Sequence, residues 1–511
     1  MQHSIRTDWL ERWALYAPER VAVKDDATGR PYTYRDLHTM VRRLSNVLRR
    51  EYGLRHGDRV AVLSMNCVEY LLLAFAVQHA GAVIVPVNFR LTPNEIEFIL
   101  SDSRPSLLVY QTAYQAVIAQ IDASVLPPRS VPMALADERC IASYLDDASL
   151  PSDAPESSSA FTDPCMILYT SGTTGHPKGA IITNEMVFWN SVNTTMRLNI
   201  TEGDVALTFA PFFHTGGWHV LTTPFLHRGA RIVMLNGFNA DRVVELCDTE
   251  KVTILFGVPT MMTMMSQSER FAGATFASVR FAIVGGEPMP IPQIELWQAK
   301  GVPIRQGYGL TEVGPNCFSL PEEDAVRKKG SIGFPNFYIE TRIVDDDGQD
   351  ALPGAPGELL LKSPVVSPGY WNNAEATEKA IEQGWFHTGD IVRKDEEGYY
   401  YVVDRKKDMF ISGAENVYPA EIERLLYTHP AVQEAAVIGV PDPKWGEVGK
   451  AYIVLRSGRT ATTEELEAFC RSGLAKYKVP KHFELIAELP KGHSGKVLKR
   501  ALKERHMSSH A

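Results

Sequence analysis

The feature that most restricts the fold of this chain is a loop of small and hydroxyl-bearing residues at 169–179 (YTSGTTGHPKG). Apolar runs at 165–169 and 180–182 flank it, and both indicate buried strands. Glycines let the backbone turn its N–H groups inward, and successive inward N–H groups form a concave anion site. Hydroxyl groups add donors, and a lysine adds a mobile positive charge. The loop is therefore predicted to bind a polyphosphate through Thr170, Ser171, Gly172, Thr173, Thr174, Gly175 and Lys178.

The spacing of this loop separates it from two common nucleotide-binding patterns. The pattern G-x-x-x-x-G-K-[ST] requires a lysine directly after its second glycine, whereas two residues lie between Gly175 and Lys178. The dinucleotide pattern G-x-G-x-x-G is absent from 172–179 as well. A flexible surface loop is the alternative interpretation. The lysine and the flanking strands favour a binding loop.

The composition is that of a globular protein and excludes several classes. The 511 residues are 45% hydrophobic and 22% charged, and this length favours more than one domain. The net charge of -9 argues against general nucleic-acid binding. The six cysteines lack metal-ligand spacing, as is typical of reduced thiols. Residues 1–20 lack the apolar core of a secretory signal, and no apolar run approaches ~18 residues, so we expect a cytoplasmic protein without a membrane span.

Strand and helix patterns alternate along most of the chain. Apolar runs at 59–63 and 82–87 indicate strands, and periodic apolar residues at 34–50 and 68–80 indicate helices. The alternation recurs after residue 203. It is typical of α/β domains built on doubly wound sheets.

Two changes of pattern divide the remainder of the chain. Short segments at 339–403, broken by Gly, Pro and Asp, predict a small antiparallel β subdomain. After a charge cluster at 404–408, strand and helix patterns indicate a small α+β unit. We therefore predict a large N-terminal domain at 1–404 and a small mobile C-terminal domain at 405–511, with a hinge at 404–408.

Four further motifs contain residue types that suit nucleotide chemistry. Residues 285–288 (GGEP) follow a predicted strand, where glycines allow a flat base to approach the backbone. Residues 306–312 (QGYGLTE) supply an aromatic face, a hydroxyl group and a carboxylate. Residues 385–390 (WFHTGD) end in an aspartate, whose carboxylate can accept two hydrogen bonds at once. Residues 490–500 (PKGHSGKVLKR) place a lysine after a glycine-flanked turn. Taken alone, each is also compatible with a turn or a solvated charged segment.

With the phosphate loop, these motifs resemble the acyl-adenylate-forming superfamily of acid–CoA ligases, peptide-synthetase adenylation domains and luciferases. The resemblance extends from about residue 10 to about residue 505. It implies that a carboxylate attacks ATP to form an acyl adenylate, whose acyl group passes to a thiol. It also implies ATP, Mg²⁺ and coenzyme A as cofactors. The catalytic residues that it assigns are Lys178, Thr311, Glu312 and Lys496.

The resemblance assigns the other site residues by their place in the motifs. Adenine is expected against Tyr308 and the ribose on Asp390 and Arg405, while Lys407 is the expected pivot of the hinge. The metal ligands are expected to be Glu312 and Thr174. The remaining nucleotide-binding residues are Gly286, Glu287, Pro288, Gly307 and Gly309, and those on the thiol side are Ser412 and Gly413.

The acid pocket is predicted from an aromatic string at 211–218 and a methionine-rich segment at 261–265. A packed histidine and a core helix are the simpler interpretations of these segments. The predicted lining is Phe213, His214, Gly217, Trp218 and Met261. Apart from His214, nothing there could pair with a second charge on the acid, and burying an unpaired charge is unfavourable. We expect an apolar monocarboxylic acid, with a medium- or long-chain fatty acid ahead of an aryl acid because methionine adapts to flexible chains.

Several alternatives stay open at this point. A peptide-synthetase adenylation domain would carry an aspartate in the stretch that matches 212–217, and none is present. An inactive homologue is disfavoured because Glu312 and Lys496 are retained. A luciferase-like oxygenase, an aryl acid–CoA ligase of the 4-coumarate or benzoate type, and a stand-alone enzyme that loads a carrier protein stay open. So does the choice between a monomer and a homodimer.

Overall fold

The computed structural model of the protein describes residues 8–135, 139–153, 157, 159–170, 177–412, 415–492 and 496–508. The helices are α1 (Trp9–Tyr16), α2 (Tyr34–Arg50), α3 (Val68–His79), α4 (Pro93–Ser103), α5 (Gln115–Ile118), α6 (Ile141–Asp146), α7 (Asn184–Arg197), α8 (Thr222–His227), α9 (Ala240–Thr249), α10 (Pro259–Ser266), α11 (Ile291–Ala299), α12 (Ala374–Ala380), α13 (Pro419–Tyr427), α14 (Thr463–Gly473) and α15 (Lys499–Ser508).

The strands are β1 (Val21–Asp25), β2 (Pro31–Thr33), β3 (Arg59–Leu63), β4 (Val83–Val87), β5 (Leu107–Tyr110), β6 (Ser130–Pro132), β7 (Pro164–Thr170), β8 (Lys178–Thr183), β9 (Val205–Thr208), β10 (Arg231–Met234), β11 (Ile254–Gly257), β12 (Phe281–Val284), β13 (Ile304–Tyr308), β14 (Phe318–Ser319), β15 (Phe334–Pro335), β16 (Glu340–Val344), β17 (Gly357–Lys362), β18 (Ile381–Glu382), β19 (Trp385–Lys394), β20 (Tyr400–Arg405), β21 (Phe410–Ser412), β22 (Glu415–Val417), β23 (Val432–Asp442), β24 (Gly446–Leu455) and β25 (His482–Leu485).

The phosphate loop extends from one edge of a six-stranded sheet. The strand order is β6-β5-β3-β4-β7-β8, with β8 antiparallel to β7 and the other pairs parallel. The loop therefore joins two antiparallel strands, and its end residues Thr170 and Lys178 face each other in register. Thr170 ends β7, and the carboxyl ends of such strands form the edge at which open α/β sheets bind ligands.

Helix α2 shows how the sequence builds the layer beside this sheet. Thr33 and Asp36 form a capping box at its first turn, and two arginines at its last turn complement the helix dipole. Leu37, Leu44 and Leu48 recur at helical spacing and are fully buried. Each buried leucine of this kind stabilises the fold by roughly 1.5–3 kcal/mol. The predicted helix at 34–50 is confirmed.

Three further sheets complete the part of the chain before residue 405. One has the order β2-β1-β10-β9, and another has the order β11-β12-β13-β14-β15 with its first three strands parallel. Strands β16 to β20 form a separate sheet whose pairs are all antiparallel. The predicted α/β class, with doubly wound sheets and a small β subdomain, is confirmed.

The C-terminal part of the chain has its own sheet and its own apolar packing. Strands β21 to β24 pair in the order β22-β21-β24-β23, and β25 joins β24. Two apolar clusters pack against this sheet, and both draw their residues from 410–502. This packing is compatible with the predicted domains at 1–404 and 405–511, and that division stays a prediction.

A π-helical turn at Gly216–Val220 includes the end of the aromatic string, and the sequence patterns did not predict it. Such turns leave carbonyl groups without their usual helical partners. The Asn190 side-chain amide, from α7, donates to the His219 carbonyl at 2.8 Å. The Asn316 amide donates to the Val220 carbonyl at 3.1 Å. Buried asparagines therefore stabilise the turn.

Within the described ranges, each helix is too short or too polar to pass through a bilayer. In the same ranges the six cysteines form no disulfide, and all except the half-buried Cys67 are buried.

Two buried histidines, His79 and His219, and the half-buried His227 should make the protein less stable in mild acid. Burial lowers the pKa of His79 to about 4, of His219 to about 3 and of His227 to about 4. An unfolded histidine takes up a proton below about pH 6.5, whereas these side chains stay neutral in the folded protein. Stability is therefore full above pH 6.5 and falls as the pH drops toward 4, by at most about 1.4 kcal/mol per pH unit for each histidine. Urea unfolding at pH 7.5 and pH 5.5 measures this loss.

A matched pair of variants separates this effect from general acid sensitivity. His79→Gln removes one of the titrating groups, so the loss of stability between pH 7.5 and 5.5 should be smaller than in the wild type. His482→Gln changes an exposed histidine and should leave the loss unchanged. Equal losses in the wild type and both variants would refute the assignment.

Candidate active site

Lys178 enters the site at the first residue of β8. Its carbonyl accepts a hydrogen bond from the Thr170 hydroxyl at 3.4 Å, which joins the two ends of the phosphate loop. Its Nζ lies 5.2 Å from the centroid of the Tyr370 ring. The other residues predicted for this loop, Ser171, Gly172, Thr173, Thr174 and Gly175, lie outside the described residues.

Asp390 lies at the centre of a buried polar cluster. Its side chain is 3% exposed, and its Oδ2 accepts a hydrogen bond from the Tyr308 hydroxyl at 2.6 Å. Its Oδ1 forms an ion pair with Arg405 Nε at 3.0 Å. The charge of Asp390 raises the pKa of Arg405, and burial raises the pKa of Tyr308 well above its usual range. The structure thus brings together three residues that the sequence predicts to bind adenosine.

Lys496 reaches the same space from the C-terminal part of the chain. Its carbonyl accepts from the Gly492 N–H at 2.8 Å, which closes the turn that carries it. Partial desolvation of its ammonium group lowers the pKa of Lys496, and the positive charge of Arg405 lowers it further. The residue is nevertheless exposed to water. Burial raises the pKa of Glu287, while the positive charge of Lys496 acts in the opposite direction.

Glu312 lies in a short 3₁₀ turn, Thr311–Val313, after β13. Its Oε1 accepts a hydrogen bond from the Tyr370 hydroxyl at 2.9 Å. Its carbonyl accepts from the Ser367 N–H at 2.7 Å. Both bonds come from one segment of the chain, which fixes the backbone and the carboxylate of Glu312 together.

The glycines of the motif at 306–312 allow the turn that carries Glu312 to form. A Cβ at Gly309 would overlap the carbonyl of Gly314 and the backbone of Pro315, so a larger residue would displace the turn that carries Glu312. Gly307 is buried within β13. Gly286, Glu287 and Pro288 come just after β12, which pairs in parallel with β13. These residues and those of the motif at 306–312 therefore lie toward the carboxyl ends of two neighbouring strands.

The donors at this site fit a magnesium–nucleotide complex. Glu312 offers a hard carboxylate oxygen, and among the described residues only its Oε1 has a hydrogen-bond partner. The described residues contain no group of three or more His, Cys, Asp or Glu side chains that could hold a metal ion. Mg²⁺ usually keeps several waters and is bound through one or two carboxylates together with phosphate oxygens, so a single carboxylate such as Glu312 suits it.

The aromatic string of the predicted acid pocket is closely packed. The Phe213 ring is buried against Phe89, with centroids 5.2 Å apart, and the half-buried His214 ring lies 4.5 Å from it. Trp218 is buried and stacks on Phe212 at 3.9 Å between ring centroids. A Cβ at Gly217 would overlap the carbonyls of Ala210 and Pro211, so the small residue allows this close packing.

The methionines do not form the flexible pocket wall that the sequence suggests. Met262 and Met265 are fully buried in a core cluster, and the Met262 carbonyl accepts a hydrogen bond from the buried Trp297 indole. Met264 is 52% exposed. Met261 is half-buried against the same cluster, and its role as a lining residue of the acid pocket stays a prediction. A core helix, the simpler interpretation, explains most of this segment.

The predicted hinge at 404–408 begins with the last two residues of β20. Asp404 Oδ2 accepts a hydrogen bond from the Ala420 N–H at 2.8 Å, at the start of α13. Burial raises the pKa of Asp404 to about 6. Lys407 is exposed in the turn that follows. Ser412 is buried at the end of β21, and Gly413 lies outside the described residues.

Sequence reasoning missed Tyr370. Its hydroxyl contacts Glu312 and its ring lies beside Lys178, although the chain separates it from both by many residues. The only sequence signal is the string Gly369-Tyr370-Trp371, which has no periodicity and no chemical pattern of its own.

Comparisons with known proteins agree with this site. The family described as AMP-binding enzyme matches residues 10–371, and the AMP-binding enzyme C-terminal domain matches residues 421–496. A feruloyl-CoA synthase from Amycolatopsis sp is 39% identical over 97% of this chain and 98% of that protein. A long-chain-fatty-acid–CoA ligase from Mycobacterium tuberculosis is 37% identical over 98% of each chain. The crystal structure of ATP-bound MatB from Rhodopseudomonas palustris covers 99% of this chain and 100% of its own, with a TM-score of 0.91 and 31% identity.

These matches confirm the resemblance that the sequence motifs indicated. They also confirm the predicted enzyme class and the cofactors ATP, Mg²⁺ and coenzyme A, which are those of AMP-forming CoA ligases. They leave the acid open, because the relatives named above act on different acids by their names. The chain belongs to the AMP-binding enzyme family.

Proposed function

We propose that this protein activates an apolar monocarboxylic acid with ATP and transfers the acyl group to coenzyme A. The observation that carries the proposal is the position of Lys496. This lysine comes from the C-terminal part of the chain, yet it lies near enough to Asp390 and Glu287 of the N-terminal part, and to Arg405 at the predicted boundary, to feel their charges. A mobile positive charge beside a buried ribose acceptor is the arrangement that adenylation requires.

The first step is attack of the acid carboxylate on the α-phosphorus of ATP, which releases pyrophosphate. Asp390 accepts the ribose hydroxyls, and Tyr308 packs against the base. Lys178 and Thr311 bind phosphate oxygens, and Lys496 neutralises charge at the reacting phosphate. Glu312, with Thr174, would hold Mg²⁺, which supplies charge neutralisation for the phosphates. Positioning and electrostatic stabilisation account for most of the acceleration in such reactions.

The second step is attack of the CoA thiol on the acyl carbonyl, which releases AMP. Lys496 occupies the space beside the nucleotide, so the C-terminal domain at 405–511 must move before a thiol can approach from that side. The hinge at 404–408 permits this rotation, with Lys407 as its pivot. Ser412 and Gly413 would then lie on the thiol side of the site.

We propose an aryl or arylpropenoic acid as the substrate, ahead of a fatty acid. The walls beside His214 are rigid, because Phe213 is buried against other rings. Rigid aromatic walls suit a planar ring better than a flexible chain. The methionines that favoured a fatty chain belong mostly to the core. A straight-chain fatty acid is the second candidate, since the half-buried Met261 could still adapt to a flexible chain.

A pyrophosphate-release screen with and without CoA tests the acid. We expect kcat/KM for cinnamate to exceed that for each straight-chain acid by roughly tenfold, which corresponds to about 1.4 kcal/mol. A dicarboxylate should be at least about 100-fold poorer, because burying an unpaired charge costs several kcal/mol. Turnover that rises with chain length and exceeds that of cinnamate would select the fatty acid. Strong dicarboxylate activity would refute the apolar pocket.

A further inference from the structure

The segment at residues 367–372, here called the strap, runs along the outer side of β8. The Ile181 N–H donates to the Gly369 carbonyl at 3.1 Å, and the Trp371 N–H donates to the Gly179 carbonyl at 2.7 Å. The strap therefore extends the sheet beyond β8. It lies directly beside the strand that begins with Lys178.

The strap is also attached to the other flank of the phosphate loop. The Trp371 indole N–H donates to the Asp102 carbonyl at 3.2 Å. The Asp102 carboxylate accepts from the Tyr169 hydroxyl at 2.6 Å, and Tyr169 lies in β7, one residue before its end. Residues on both sides of the loop are thus connected to one short segment.

Tyr370 projects from the strap between the two groups that the proposed mechanism uses for the phosphates. Its hydroxyl donates to Glu312 Oε1 at 2.9 Å. Its ring centroid is 5.2 Å from Lys178 Nζ, within the range of a cation–π interaction. One half-buried side chain therefore contacts both the proposed metal ligand and the lysine of the loop.

The hydroxyl group of Tyr370 is not needed to hold the strap in place. The backbone is already fixed by its bonds to β8 and by the Ser367 N–H, which donates to the Glu312 carbonyl at 2.7 Å. The Tyr370 N–H donates to the Thr377 hydroxyl at 2.9 Å. Loss of the hydroxyl should therefore change the orientation of the Glu312 carboxylate and leave the fold intact.

We propose that Tyr370 is a positioning residue that orients Glu312 toward the magnesium–phosphate complex and keeps Lys178 directed at the loop. The inference rests on the proposed function. Residues that orient a metal ligand typically change metal affinity or activity by 10- to 100-fold when they are mutated. Tyr370 acts through Glu312 and Lys178, so its effect should depend on the metal.

The test is Tyr370→Phe, which keeps the ring beside Lys178 and removes the hydroxyl. Calorimetric titration with ATP, with and without Mg²⁺, measures how much the metal strengthens binding. We expect this gain to fall by roughly 10-fold or more, while metal-free ATP binds as in the wild type. The Mg²⁺ concentration that gives half-maximal ATP–pyrophosphate exchange should rise by a similar factor.

Two controls isolate the role of the hydroxyl group. Tyr401→Phe removes a hydroxyl that lies 3.3 Å from the Asp395 carboxylate in the small β sheet, and it should change none of these quantities. Combining Tyr370→Phe with Glu312→Gln gives a double-mutant cycle. If Tyr370 acts through Glu312, adding Tyr370→Phe to the Glu312→Gln variant has no further effect on the magnesium-dependent gain in ATP affinity.

The outcomes separate this inference from the proposed function. An unchanged magnesium-dependent gain in Tyr370→Phe, with the wild type active, would overturn the inference alone. An equal loss of metal-free and metal-dependent ATP binding, together with a lower melting temperature, would assign Tyr370 a merely structural role and also overturn it. A wild type that binds magnesium–ATP but shows no acid-dependent exchange would refute the proposed function.

Discussion

Lys496→Ala should slow acyl-adenylate formation by roughly 100- to 1000-fold, the range seen when one preorganised charge-stabilising group is removed from a reaction centre. Lys496 shares its space with Asp390 and Arg405 and is the positive charge that the C-terminal part of the chain brings to the reacting phosphate. The thioester-forming step should be spared when a synthetic acyl adenylate is supplied, because the lysine has no part in thiol attack. Acid-dependent ATP–pyrophosphate exchange and AMP release from that adenylate measure the two steps separately.

The matched control for this variant is Lys476→Ala. Lys476 is an exposed lysine of the same C-terminal part, and its loss should leave both steps at the wild-type rate. An equal loss of both steps in Lys496→Ala, with an unchanged melting temperature, would show that the lysine does not act on adenylation alone. It would also remove the main support for the proposal that the C-terminal domain brings different residues to the site in the two reaction steps.

Asp390→Ala should weaken ATP binding by about 10- to 100-fold, which corresponds to the 1.5–3 kcal/mol of hydrogen bonds to a charged group. The carboxylate is buried and already oriented by Tyr308 and Arg405, so little reorganisation is needed to accept two ribose hydroxyls. Removing it also leaves the hydroxyl of Tyr308 and the charge of Arg405 without that partner. Calorimetric titration with ATP measures the loss of affinity.

An exposed ion pair provides the comparison for this variant. Asp350 pairs with Arg342 at 2.8 Å and is 74% exposed, so Asp350→Ala should leave ATP affinity unchanged. Unaltered ATP affinity in Asp390→Ala would refute the ribose assignment. Weaker binding of ATP with unchanged binding of pyrophosphate alone would support it, because pyrophosphate has no ribose.

Local patterns predicted much of the fold because short-range physics determines those elements. Helix α2 has its capping box, its basic last turn and its leucines within 18 consecutive residues, 33–50, so its bounds follow directly. The strands on either side of the phosphate loop contain the continuous apolar runs at 165–169 and 180–182. The site motifs were recognisable because glycines, hydroxyl groups and charged residues occur together within a few positions.

The features that sequence reasoning missed depend on contacts between distant residues. Tyr370 reaches Glu312 only because the strap pairs with β8, and no local pattern records that pairing. The methionines of α10 were assigned to a pocket, although methionine suits a pocket wall and a protein core equally well. Their burial against Trp297 decides between the two, and it depends on how α10 and α11 pack.

The most direct test of the proposed mechanism follows oxygen through the reaction. The acid is labelled with ¹⁸O at both carboxylate oxygens, and the products with ATP and CoA are examined by mass spectrometry. Attack of the carboxylate on the α-phosphorus, followed by thiol attack on the carbonyl, leaves one labelled oxygen in AMP and one in the thioester. We predict AMP with a single ¹⁸O and unlabelled pyrophosphate. Formation of ADP with label in inorganic phosphate would contradict an AMP-forming ligase.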